Sequence, residues 1–405
     1  MRRRNLVIAG AAAAATVSAA YDLWLWLTSY LSDNFHNDFT FYFAAARVGV
    51  IHGGKYIYDL NLQQEQLDAI GSHITIAQLA RYVSPPPLSW FVTVLTPLPY
   101  QPAYWIWCAL LVIALAYTWY VAAPAAGRSR VIFLVAAVGW LPVIYGLQLG
   151  QPALLVAASV VMCYAFLRDR QPIWAGAVLG LIVFKPQLAI LVPPALLVAG
   201  RWRAFVASAV ALAALAVLSL IDLGSHGVNA YLAILRFATT VPENQAQTLA
   251  AWLPNLVVTR AVQAVIALWT LAVVYRLRHR DPRVWLAVAL VGGLAASPYV
   301  HYDDLVMLGV AALFFIGATR GVWPRVAAVV FFVLGEGFPI WGAGPILASE
   351  LLVLLLLSVP ALEHHYGDAQ QDEAEGEHDA DLDGDGQHLA VDGQAQAVDR
   401  GARQA

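Results

Sequence analysis

Three places in the 405-residue chain set reactive side chains hard against apolar segments. Asp38 lies in the loop Ser32 to Asp59, which follows the first apolar segment, and Phe39, Phe41, Tyr42 and Phe43 come directly after it. A carboxylate at a water-lipid boundary with an aromatic floor is placed to act as a general base. Lys185 follows Leu181-Ile182-Val183-Phe184 and precedes Pro186, so its ammonium emerges at a helix break, where an ionisable group marks a functional site by default. His301 lies in Ser297-Pro298-Tyr299-Val300-His301-Tyr302-Asp303-Asp304, just ahead of the apolar run from Leu305. Each also has a plainer reading. Asp38 reads equally as a solvated loop acid, and Lys185 as a snorkelling side chain at a helix end. His301 reads as an interfacial polar residue beside the helix N-terminal carboxylates Asp303 and Asp304. The spacing of His301, Asp303 and Asp304 matches no standard metal-ligand set, and neither a metal nor another cofactor is expected.

The elements that must position these groups are membrane helices. Hydrophobic residues make up 60% of the chain and charged residues only 12%, with 14 Trp, far from the composition of a soluble domain. Apolar runs recur from Leu6 to Leu362 with no polar block large enough to fold independently, which predicts an all-α polytopic protein with one integral-membrane domain over residues 1–362. Residues 363–405 read as a disordered, acidic cytoplasmic tail. The net charge of −3 comes from that tail, and no nucleic-acid partner is implied. Within the tail, Asp381, Asp383, Asp385, Gly386 and Asp392 take the spacing of a calcium loop, but Asp fills the last position and no good helix flanks either side. Cys108 and Cys163 lie inside apolar runs, where a thiol behaves as a small hydrophobe.

Basic residues orient the segments. Arg2-Arg3-Arg4 before Leu6 to Val17 resembles a signal peptide ending at Val17-Ser18-Ala19, but apolarity resumes at Leu23 to Leu31, so an uncleaved anchor is expected, with Asp22 packed against protein. Arginine pairs recur at 128/130, 168/170, 201/203, 276/278/280 and 320/325, and can all be cytoplasmic. The Asp38 loop, Leu147 to Pro152, Lys185-Pro186-Gln187, Leu223 to Pro254, Ser297 to Asp304 and Gly335 to Pro345 then share the outer side. This scheme gives about twelve spans with both termini inside, provided that the short Pro85 to Leu98 stretch is re-entrant or interfacial. Ile173 to Phe184 and Leu188 to Leu197 are too short for ordinary spans and read as short helices meeting at Lys185-Pro186. Two outer loops, 32–84 and 223–253, are long enough to hold structure. In the first, Leu67, Ile70, Ile74, Ile76 and Leu79 predict an amphipathic helix over Gln63 to Tyr82.

The polar residues placed outside are Asp38, Lys55, Asp59, Arg81, Gln151, Lys185, Arg236, His301, Asp303 and Asp304. One carboxylate with several cations at an outer membrane surface suits glycosyl transfer from a polyprenyl-phosphate sugar, whose leaving phosphate needs Lys, Arg or His and whose acceptor hydroxyl needs a base. A transporter or flippase is the rival reading, since proline-broken helices like those flanking Lys185 also occur there. Transporters, however, set their charges near the bilayer midplane, and these gather at one face.

The order Asp38-Phe39 with Tyr42 and Ala44-Ala45, Gly54 then Tyr58-Asp59, Pro86-Pro87-Leu88, Pro97-Leu98, Gly150-Gln151, Ala175-Gly176 then Lys185-Pro186, and Ser297-Pro298 then His301 resembles glycosyltransferase family 87. The resemblance runs from about Asp38 to Asp304. It implies the C-type glycosyltransferase architecture and an activity similar to that of the polyprenyl-phosphate-mannose-dependent alpha-1,2-mannosyltransferases, in the plasma membrane with the site outside. It implies Asp38 as catalytic base and the His301 region as part of a donor-phosphate site. Charge adds Lys185, Arg81 and Arg236 to that phosphate site, with Gln151, Tyr42, Asp303 and Asp304 in support. The expected partners are a polyprenyl-phosphate sugar donor, a lipid or glycan acceptor and membrane lipids. Pro85 after Ser84 departs from the pattern, in which an aromatic commonly precedes the double proline.

Overall fold

The computed structural model describes residues 2–76, 81–124, 128–253, 255–319 and 322–358, and among these the regular structure is entirely helical. The acidic tail, its calcium-loop-like spacing, Leu79 and Arg320 lie outside the described residues.

The two apolar stretches near the N-terminus form one helix, α1 (Arg2–Ser32), of 31 residues. Asp22 within it is buried, and Ser18 Oγ links it to Gly139 O (2.9 Å) and to Glu336 Oε1 (3.3 Å). The carboxylate is thereby packed against protein, as the sequence predicts. Helix α2 (Phe39–His52) follows, almost wholly buried from Phe39 to Ala46. Helix α3 (Leu60–Ala69) starts where Asp59 accepts the backbone N–H groups of Asn61 (2.9 Å) and Leu62 (3.1 Å), an ordinary N-cap.

The long amphipathic helix expected over Gln63 to Tyr82 is not formed as such. Helix α3 stops at Ala69, Gly71 turns the chain with φ +80°, and residues 72–76 are irregular. Glutamines explain the difference. Gln64 accepts the backbone N–H of Ile76 (2.7 Å) and donates to Ile74 O (3.0 Å), offering the chain side-chain partners in place of helical ones. The buried Gln63 bridges Ile57 O (2.7 Å) and the N–H of Tyr82 (3.3 Å), which folds the loop back on itself. The periodicity of the isoleucines thus reflects packing of a folded strap, with Ile70, Ile74 and Ile76 against the core.

Helix α4 (Pro86–Thr93) has eight residues, roughly 12 Å, far too short to cross a membrane. Helices α5 (Tyr100–Ala122), α11 (Trp202–Ala238) and α12 (Leu256–Arg276) are each long and apolar enough to cross. A bent pair joined at 55°, α6 (Arg128–Val138) and α7 (Leu141–Leu149), adds a fourth crossing if counted as one span. The remaining helices are shorter: α8 (Ala153–Arg168), α9 (Pro172–Ala177), α10 (Val192–Val198), α13 (Pro282–Ala295), α14 (Val306–Ala318), α15 (Val322–Glu336), α16 (Phe338–Trp341) and α17 (Gly344–Ser358). A tighter 3-10 stretch over Val178–Phe184 prolongs α9, so Lys185 stands between two short apolar pieces. Helix α11 breaks at Gly224 (φ 55°, ψ −172°), and its second part occupies much of the 223–253 stretch that the sequence reads as a loop.

Helices α5, α8, α13 and α14 make the interior, with Trp107, Trp285, Tyr104 and Phe314 fully buried among them. The turn between α7 and α8 is seated on this interior through Gly150. Its φ of +68° is unfavourable for any residue with a side chain, and a Cβ there would come within 2.8 Å of the Phe39 Cβ. Its carbonyl accepts the buried Trp107 indole N–H at 2.7 Å. Gly150→Ala is therefore expected to lower the stability of the detergent-solubilised protein by about 1–3 kcal/mol, read as an earlier thermal unfolding transition.

Candidate active site

Segments distant in sequence meet at the start of α8. The Asp38 backbone N–H donates to Leu149 O (2.9 Å), which ties the segment before α2 to the end of α7. Gln151, immediately after Gly150, donates its Nε2 to Asp38 Oδ2, and its Oε1 accepts the Tyr42 hydroxyl at 3.1 Å. One amide therefore fixes the carboxylate while a tyrosine fixes the amide. Asp38 is partly exposed, whereas Gln151 and Tyr42 are buried. Burial pushes the Asp38 carboxyl up to about 6, Asp303 adds to the push, and Lys185 and Gln151 oppose it.

Beside Asp38 stands an ion-pair triad. Lys185 Nζ donates to Asp303 Oδ2 (2.7 Å) and Asp304 Oδ1 (2.5 Å), with all three side chains buried. The short helices around Lys185 are thereby fastened to the segment before α14. Asp304 has a second task, since its Oδ2 accepts the His301 backbone N–H at 2.8 Å. Burial pushes the Asp304 carboxyl above the ordinary carboxylate range, with Lys185 acting against that push and the neighbouring Asp303 charge adding to it. The ammonium has three N–H bonds and two go to carboxylates, so this cation is locally compensated. Asp303 Oδ1 is buried with no donor among the described residues.

His301 is also in place. Its Nε2 lies 3.2 Å from Asn244 Oδ1 and its Nδ1 3.5 Å from the Tyr299 hydroxyl. Burial, with Lys185 adding to it and Asp303 opposing, pushes His301 down to about 4. At neutral pH the imidazole is uncharged, able to donate one hydrogen bond and accept another.

The two arginines lie on a separate wall. The Arg81 guanidinium sits 4.0 Å from the centroid of Phe237, and Arg236, the residue before Phe237, is exposed. None of their described contacts reaches the triad. Two connections join this wall to the site. Asn244 Nδ2 donates to Ala238 O at 2.8 Å, next to Phe237, while its Oδ1 faces His301. Tyrosine rings supply the other, with Tyr231 stacked on Tyr58 (4.7 Å), Tyr58 on Tyr82 (5.5 Å), and Tyr82 edge-on to Tyr42 (6.1 Å). Of the further charges that the sequence groups with these, Lys55 lies over the Tyr56 ring at 4.9 Å and Asp59 is the α3 cap already described.

The structure thus assembles Asp38, Gln151, Tyr42, Lys185, Asp303, Asp304 and His301 and leaves Arg81 and Arg236 at the rim. Sequence reasoning missed Asn244, Tyr82 and the role of Tyr299. Asn244 sits in a polar loop with no pattern to mark it, and a contact 57 residues away from His301 has no local signature. Among the described residues no three His, Cys, Asp or Glu side chains come together as a possible metal site, and Cys108 and Cys163 are free and buried.

The sequence model of glycosyltransferase family 87 matches residues 82–298. The matched stretch contains Gln151 and Lys185 and stops short of Asp38 on one side and His301 on the other. No curated protein and no solved structure matches the chain.

Removing the Lys185 charge while leaving both carboxylates buried is costly, typically about 3–5 kcal/mol. Lys185→Met should therefore lower the thermal unfolding temperature strongly, and adding Asp303→Asn and Asp304→Asn should recover most of the loss. A Lys185→Met protein as stable as the wild type would show that the three groups are not paired in the folded protein.

Proposed function

Since this chain belongs to glycosyltransferase family 87, and is a membrane protein by its composition and helices, we propose that it transfers a hexose from a polyprenyl-phosphate carrier to a hydroxyl of a lipid or envelope glycan. Mannose is the sugar that the resemblance suggests. The observation that carries the reading is a partly exposed carboxylate, Asp38, oriented by Gln151 and Tyr42 at the mouth of an otherwise buried polar cluster. A lipid-linked substrate explains why that mouth lies where apolar helices end, on the side that arginine counting places outside the plasma membrane.

The reaction is an inverting single displacement. The acceptor oxygen attacks the anomeric carbon, the bond from that carbon to the carrier phosphate oxygen breaks, and Asp38 takes the acceptor proton. Its carboxyl, raised to about 6, is a stronger base than an ordinary aspartate and is still mostly ionised at neutral pH. The departing phosphate then faces the third N–H of Lys185 and the neutral His301, with Arg81 and Arg236 supplying positive charge from the rim. Asp303 Oδ1, without a donor inside the described protein, is the natural acceptor for a sugar hydroxyl.

The decisive experiment offers synthetic polyprenyl-phosphate-[14C]mannose to purified protein with total envelope lipid. Wild type should transfer label. Asp38→Asn should lose roughly 10²–10⁴-fold in rate with donor binding and melting temperature nearly unchanged. If neither protein transfers label although both bind the donor, a panel of other carrier-linked sugars decides between a wrong sugar and a wrong reaction. Equal transfer by both proteins removes Asp38 as the base.

The pH dependence has a definite sign. Only the ionised carboxylate accepts a proton, so kcat/KM should fall about tenfold per pH unit below about 6 and level off above it. A rate that is flat from pH 5 to 8 would rule out this base. The variant carrying Lys185→Met, Asp303→Asn and Asp304→Asn together should be folded and yet inactive.

A further inference from the structure

A second polar site lies at the opposite end of α8. That helix begins two residues after Gln151 and ends at Arg168; its 16 residues span roughly 24 Å, most of the thickness of a hydrocarbon core. Where it ends, the turn into α9 and the turn from α10 into α11 border an open cavity of about 270 Å³. Leu167 and Pro172 give it an apolar side, and Arg170, Arg201, Arg203 and Trp202 line the rest. Arg203 lies over the Trp202 ring at 5.5 Å.

The charge at this cavity is unbalanced. Arg168 is matched by Asp169 at 2.9 Å, but none of the three arginines in the lining pairs with a carboxylate among the described residues. Arg170 also holds a left-handed backbone, φ 56°, the only such non-glycine residue described. The surroundings are apolar and open: Ile173 is 65% exposed, Trp174 61% and Trp202 59%. Tryptophans at this level are the mark of a membrane interface. A soluble anion would be held by the guanidiniums and leave those side chains bare, whereas an amphipathic anion covers both.

We propose that this cavity binds the phosphate-bearing headgroup of an anionic phospholipid, its acyl chains running along Ile173 and Trp174. The three guanidiniums surround the phosphate, and Trp202 lies against the glycerol region. Basic pockets between membrane helices bind acidic headgroups by this chemistry. The site is distinct from the Asp38 recess and does not depend on the transferase reading.

The test is native mass spectrometry of the full-length protein in neutral detergent, offered equal amounts of phosphatidylglycerol and phosphatidylcholine with identical chains. Wild type should retain phosphatidylglycerol preferentially. Arg201→Gln alone should weaken its retention by about five-fold, and Arg170→Gln, Arg201→Gln and Arg203→Gln together should abolish the preference. Arg168→Gln made together with Asp169→Asn, which removes a matched pair and no net charge, should change it little. The side chains exchanged are exposed, and an unchanged melting temperature of each variant in lipid-free detergent confirms folding. Equal retention of the two lipids by wild type, or a preference that survives the triple substitution, overturns the proposal. So does displacement of the lipid by millimolar inorganic phosphate, which would make the cavity a site for soluble anions.

Discussion

Burying an ammonium between two carboxylates is the constraint on which the arrangement of this protein turns. An uncompensated charge inside a membrane helix bundle is very costly, so Lys185 obliges the chain to bring Asp303 and Asp304 to it across more than a hundred residues. That requirement explains why α9 and α10 are short. A continuous helix through residues 173–197 would give Lys185 no reason to stop at the level of the segment before α14, whereas the break at Pro186 leaves its side chain free to turn inward. Asp304 then passes the constraint on to His301 through a backbone hydrogen bond, and Asp303 passes it electrostatically to Asp38. These polar groups are neighbours because one cation needs them to be.

The polarity of the site follows from the same pairing. A cluster of Lys, His and Arg reads on paper as a positive basin for a phosphate. In three dimensions Lys185 is matched by two acids and His301 is neutral, while the positive charge of Arg81 and Arg236 stands at the rim. Net positive charge is thus confined to the periphery, and the interior is left to paired charges and hydrogen bonds.

Much of this was legible in the sequence, and the reason is the membrane. Apolar runs and arginine spacing report directly on a solvent that tolerates few charges, so Asp38, Gln151, Lys185 and His301 stood out because they fell at segment ends. The helical class was equally plain. What could not be read was pairing across distance. Nothing in Lys185-Pro186 says that its partners are Asp303 and Asp304, since the same aspartates read equally well as helix N-terminal acids. Nor does the isoleucine spacing after Gln63 reveal that glutamine side chains will capture the backbone and end the helix at Ala69. Local periodicity records what is buried; it is silent about which polar group does the burying.

Helix α8 carries a consequence for the depth of the site. At roughly 24 Å it is shorter than a ~30 Å hydrocarbon core, it is packed almost wholly inside the protein, and both of its ends are polar. Because other helices stand between it and the lipid, its shortness costs no exposed hydrocarbon and instead leaves a polar end recessed within the protein. The depth of the Asp38–Gln151 recess is thus set by the length of one buried helix, and adding or removing a turn of α8 would move its floor by roughly 5 Å.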